Sequence, residues 1–175
     1  MCNADGTIWI VYNGEIYNYI ELREELKTLG YQFITHTDTE IIIAAYQEWG
    51  YDCLQRFNGM WAFAIWDGRR RELFCSRDRF GVKPFYYYWD GINLAFASEI
   101  KALLQCPFVN TGPNDEAIYQ YLVIGRSEGK DDTFFCNIKQ LEPGHYLTVH
   151  ERGLQVGRYY SLGYTTELGN FDQKA

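Results

Sequence analysis

The chain has 175 residues, 47% of them hydrophobic and 18% aromatic, and a formal net charge of −7. That size and aromatic content suit one domain with a substantial, strand-rich core and exclude a disordered chain. Lys and Arg are scattered without a basic stripe, no apolar run reaches the length of a membrane span, and no signal peptide opens the chain, so neither nucleic acid nor a membrane is an expected partner.

The first predicted element is a strand over Thr7–Tyr12, a β-branched and aromatic run. A helix follows over Ile20–Leu29, with Leu22, Leu26 and Leu29 on one face and Gly30 as its stop. Asn13-Gly14-Glu15 therefore falls where strand gives way to helix. Turn residues are expected there. The same residues also offer an Asn13 side-chain NH2 and a Gly14 N–H with no side chain over it, two donors able to receive an oxyanion. Tyr31–Thr35 reads as a short strand. Thr37 and Glu40 have capping-box spacing and open a helix through Trp49, with Asp38 favoured in its first turn by the helix dipole.

Leu54–Gly59 reads as a short helix and turn, and Met60–Trp66 as a strand buried on both faces. Asp67-Gly68 turns the chain into a partner strand over Glu72–Ser76, in which Cys75 is expected to be a buried, inert thiol. Arg77–Pro84 is a polar loop. Phe85–Trp89 and Leu94–Ala97 form a second hairpin about Asp90-Gly91, and Ser98 is placed to cap a helix through Leu104. Asn114 caps a helix reaching Tyr121. Tyr146–Val149 and Leu154–Tyr160 close the domain as a hairpin, with His145 at a strand start. The five cysteines (Cys2, Cys53, Cys75, Cys106, Cys136) form no CxxC pair, and His36, His145 and His150 have no metal-ligand spacing, so no metal site is expected. Reduced thiols point to the cytoplasm.

Tyr12-Asn13-Gly14-Glu15-Ile16-Tyr17-Asn18 resembles the Asn-Gly motif of class II, N-terminal-nucleophile glutamine amidotransferases. Glu15 and the following Ile16-Tyr17-Asn18 resemble in particular the glutamine-hydrolysing asparagine synthetases. Thr37-Asp38-Thr39-Glu40 resembles the second signature of that family. The run from Arg77 to Tyr87, with Phe96–Leu103 soon after, is similar to asparagine synthetase throughout, as is Thr133–His145.

The resemblance implies an α+β fold, an α/β/β/α sandwich of two antiparallel sheets of the N-terminal-nucleophile hydrolase type, here lacking its first strands. Residues 1–162 would be the type 2 glutamine amidotransferase domain and 163–175 a tail towards a synthetase domain. The implied activity is hydrolysis of glutamine to glutamate and ammonia, for ATP-dependent conversion of aspartate to asparagine. Asn13 and Gly14 would be the catalytic oxyanion donors and contact substrate together with Glu15 and Asp38. Asp38 would hold the α-amino group, and Asn13 and Asp38 would border one cleft. The Arg77–Lys83 loop would tie the two sheets. No cofactor is implied in this chain; ATP and Mg would belong to the synthetase domain. The implied partners are glutamine and that domain of the same longer chain, and a homodimer is compatible.

One part of the family pattern is not matched. The nucleophile there is an N-terminal Cys followed by Gly-Ile, whereas Cys2 is followed by Asn3-Ala4-Asp5-Gly6 and lies eleven positions before Asn13. Met1 therefore reads as an internal Met of a longer domain, and Cys2 is not expected to be the nucleophile. The chain alone would be inactive. The alternatives are a non-catalytic glutamine-binding or interaction module, and an amidotransferase domain serving another acceptor.

Overall fold

The computed structural model describes residues 1–110, 112–125 and 131–163; all but the first residue of the expected tail lies outside them. In chain order the elements are β1 (Ile8–Ile16), α1 (Tyr19–Thr28), α2 (Asp38–Trp49), α3 (Cys53–Arg56), β2 (Gly59–Asp67), β3 (Glu72–Arg77), β4 (Tyr86–Trp89), β5 (Leu94–Ala97), α4 (Ile100–Leu103), α5 (Asp115–Ile124), β6 (Ile138–Gln140), β7 (His145–His150) and β8 (Gly153–Arg158). One antiparallel sheet has the order β1-β2-β3-β7-β8, and a smaller one the order β5-β4-β6.

Alternation along β2 builds the layers. Trp61, Phe63 and Ile65 point to one face and meet Leu22, Leu26 and the Ile41–Tyr46 stretch of α2. Ala62 and Ala64 point to the other and meet Phe85, Tyr87, Leu141 and Leu147 between the sheets. In the middle of β2 large residues face the helices and small ones the second sheet, which lets the sheets approach there. Tyr88 and Ile138 on the outer face of the second sheet pack against Leu103 of α4. The result is the expected helix–sheet–sheet–helix order.

Arg77 at the end of β3 ties the two sheets. Its guanidinium donates to the carbonyls of Lys83 (2.7 Å), Gly81 (2.8 Å) and, just past β6, Leu141 (2.7 Å). The neighbouring Asp78 is buried and accepts from the backbone N–H groups of Trp61, Phe80, Val82 and Lys83. One buried carboxylate thus collects three of the loop's own N–H groups together with that of Trp61 on β2. Asn114 caps α5 as expected, accepting from Ala117 N–H.

Four local expectations need correction. First, β1 does not stop at Tyr12 but runs through Asn13-Gly14-Glu15 to Ile16, so the motif lies inside a strand. Gly14 pairs with Trp61, and a Cβ on it would lie 2.2 Å from the Met60 carbonyl oxygen. A Cβ on Gly59 would lie 2.2 Å from the Glu15 carbonyl oxygen. Two glycines on facing strands let the backbones close up here. Second, Tyr31–Thr35 is not a strand: the Ile34 and Thr35 N–H groups go to the Glu40 carboxylate, each at 2.8 Å, instead of a ladder. Third, Glu40 therefore makes no capping box, and Thr37 starts α2 without a side-chain cap. Fourth, Glu99, not Ser98, is the N-cap of α4.

Candidate active site

β1 is an edge strand, and its outward-facing backbone groups are those of the even-numbered residues. The Ile8 N–H is taken by the Asn3 side chain at 3.0 Å, the Ile10 N–H by the Met1 carbonyl at 2.9 Å, and the Ile16 N–H by the Asp38 carboxylate at 2.9 Å. In an antiparallel strand such groups alternate sides. Tyr12 and Gly14 therefore point their N–H and C=O groups outward between two closed segments. Below the gap, residues 1–3 form a short hairpin with 8–10; above it stands Asp38.

Asn13 projects from the face of β1 turned towards the second sheet, and its Nδ2 donates to Ser98 Oγ at 3.2 Å. It borders a cavity of about 240 Å³ with Val11, Ala62, Ala64, Phe85, Phe96 and Ser98 among its walls. Glu15 shares this parity and is exposed.

Asp38, the first residue of α2, approaches from the other side. Its Oδ2 accepts from the Tyr12 hydroxyl at 2.8 Å as well as from Ile16 N–H. Burial pushes the Tyr12 phenol far above its ordinary range, helped by the Asp38 hydrogen bond and by the charges of Asp38 and Glu15. Tyr12 thus stays a protonated donor, and both carboxylates act on one hydroxyl. The structure brings Asn13, Gly14 and Glu15 together on one strand with Asp38 at its end. Asp38, however, does not line the cavity that Asn13 borders. Adjacent strand residues face opposite ways, so Tyr12 carries Asp38 and Asn13 carries Ser98, and both meet the same strand on either side of Gly14.

The thiols lie elsewhere. Cys2 bridges to Trp9, four residues along β1 from Asn13, a separation of roughly 13 Å at strand rise. It lines a separate groove with Tyr31, Phe33 and Gln47. Cys53 and Cys75 are buried, and burial pushes both thiols upward, away from the reactive thiolate. Sequence reasoning missed Tyr12 and Ser98 as parts of the site. The alternation of the strand was the available signal for Tyr12; nothing local signalled Ser98.

Residues 1–160 match the family described as the glutamine amidotransferase domain. The chain belongs to that family. It is 40% identical over 172 residues to a Bacillus subtilis protein named asparagine synthetase [glutamine-hydrolyzing] 3, covering 98% of this chain and 28% of the relative. It is 50% identical over 155 residues to a putative asparagine synthetase [glutamine-hydrolyzing] 2 of Methanocaldococcus jannaschii, covering 87% of this chain and 29% of the relative. The chain thus spans under a third of the length of these relatives. Among solved structures, glutamine phosphoribosylpyrophosphate amidotransferase from B. subtilis superposes with a TM-score of 0.62 at 20% identity, over 91% of this chain and 31% of that one. That likeness establishes the shared fold: a mixed α/β domain with two antiparallel sheets. Among the described residues no helix is long and apolar enough to cross a membrane.

Proposed function

We propose that this chain binds glutamine and polarises its side-chain amide, as the glutaminase portion of an asparagine synthetase. The observation that carries the reading is the open edge of β1 at Gly14. It presents an unobstructed N–H beside the Asn13 carboxamide, with Asp38 fixed at the same strand end. In this reading the amide oxygen of glutamine takes hydrogen bonds from Gly14 N–H and Asn13 Nδ2. Charge developing on that oxygen during attack is met by donors already in place. Asp38 and Glu15 supply the negative charge that an α-ammonium group needs.

No described thiol stands beside Asn13 and Gly14, so amide attack is not assigned to any described residue. The described part of the site binds and polarises. The ammonia released from glutamine would serve the synthetase portion of the longer enzyme, where ATP and Mg would be bound and aspartate converted to asparagine. Five free cysteines fit a reducing, cytoplasmic setting.

The test is a glutamine titration of the 175-residue chain followed by NMR, beside Asn13→Ala and Asp38→Asn. Saturable shifts on β1 that weaken in both variants are expected. No binding, or equal binding by all three proteins, overturns the reading.

A further inference from the structure

Ser98 does not cap α4; its N-cap is Glu99, and the hydroxyl of Ser98 meets Asn13 across 85 residues of sequence. Its own position is tightly set. It follows Ala97, which pairs with Tyr86 in the second sheet. The preceding Phe96 stacks on Phe85 with ring centroids 5.6 Å apart and planes 8° from parallel. Ala62, the cross-strand neighbour of Asn13, and Ala64 carry only methyl groups and offer the Asn13 carboxamide no side-chain hydrogen-bond partner. Asn13 is exposed, so without a partner its amide would rotate and present oxygen and nitrogen alike.

We infer that Ser98 is a positioning residue for the glutamine site: its hydroxyl, carried by the second sheet, holds the Asn13 carboxamide of the first so that one Nδ2 hydrogen remains directed to a ligand oxygen. A primary amide has two N–H groups in one plane. Anchoring one to Ser98 fixes the direction of the other and keeps Oδ1, which would repel a substrate carbonyl, turned away. Pre-orientation of a donor is where such a contact acts, since its cost is met in folding and not on binding. This inference rests on the reading of Asn13 as a donor to the glutamine amide.

The experiment compares the full chain with Ser98→Ala and Ser98→Thr, each alone and in an Asn13→Ala background, by glutamine titration and by the Asn13 side-chain amide signals in ¹⁵N-edited NMR spectra. Ser98→Ala is expected to weaken glutamine binding about threefold to tenfold, the range of one neutral hydrogen bond. It should also shift both Asn13 amide protons, whereas Ser98→Thr stays within about twofold of wild type. In the Asn13→Ala background Ser98→Ala should change nothing further, a coupling that a merely structural serine would not show. Equal affinity of wild type and Ser98→Ala overturns the inference, as does an equal loss in both backgrounds. If the wild-type chain binds no glutamine, the site reading falls and this inference falls with it. The Asn13 amide signals then report separately whether the contact exists.

Discussion

The Tyr12 hydroxyl donates to the Asp38 carboxylate at 2.8 Å, and the same oxygen accepts the Ile16 N–H at 2.9 Å. One carboxylate thus pins the start of α2 to the upper half of β1. Tyr12→Phe removes one hydrogen bond and should cost about 0.5–1.5 kcal/mol. Asp38→Ala leaves two donors without their partner and should cost more, about 1–3 kcal/mol. Urea denaturation of the two variants checks the order; a Tyr12→Phe loss exceeding that of Asp38→Ala would contradict it.

Gly14 and Gly59 should resist substitution for packing reasons. A methyl on either meets a backbone carbonyl oxygen of the facing strand at 2.2 Å, and backbone cannot step aside as a flexible side chain can. Gly14→Ala and Gly59→Ala are each expected to destabilise by about 1–3 kcal/mol or more. Thermal melts should show a drop of several degrees for both.

Arg77 is buried and supplies three carbonyl groups at once, so lysine is not equivalent to it. Arg77→Lys cannot span all three and leaves acceptors at the sheet-to-sheet tie unmet, a loss of about 2 kcal/mol or more. The expected signature is faster amide exchange at Gly81–Lys83 and around Leu141, with the β1–β2 ladder little changed.

Cys2 should be chemically accessible and functionally idle. Iodoacetamide should modify Cys2 and Cys136, which are exposed, long before Cys53 and Cys75, which are buried with their thiols pushed upward. Glutamate release from glutamine should be the same for the chain and for Cys2→Ala. A drop on that substitution would return Cys2 to consideration as the nucleophile.

Acid should loosen the segment between α1 and α2. Burial alone would raise the Glu40 carboxyl, but hydrogen bonds from Ile34 and Thr35, with the charge of Arg23, hold it below its ordinary 4.5. A group lowered by folding contributes stability above its unfolded value, and that contribution is lost as pH falls through the lower folded one. Exchange of the Ile34 and Thr35 amides should therefore lose protection, relative to the strand core, only below about pH 4.5. Glu40→Gln should remove that pH dependence.

Much of this arrangement was legible in the residues. Leu22 and Leu26, the Ile41–Tyr46 stretch and the apolar run of β2 announced the helix layer and a doubly buried strand. The misreadings share one cause, a competing partner that local composition does not show, distant in sequence for Gly14 and Ser98 and nearby for Tyr31–Thr35. Asn-Gly resembles a turn until Trp61 and Gly59 are beside it. Tyr31–Thr35 has strand composition, but its donors find the Glu40 side chain first. Ser98 has the form of a cap, and only the fold reveals that its hydroxyl faces Asn13. β6 is three residues long, too short for alternation to register.

The parity of β1 also carries a stereochemical demand. Asn13 lies on one face of the strand, and the hydroxyl that steadies Asp38 on the other. A ligand engaging both must bend around the strand's rim, and the residue at that rim is Gly14, a notch with no side chain. Such a path has a sense of rotation. A chiral molecule with one end at the Asn13 carboxamide and the other at Asp38 would have to follow that sense, so its two enantiomers would not meet the rim equivalently.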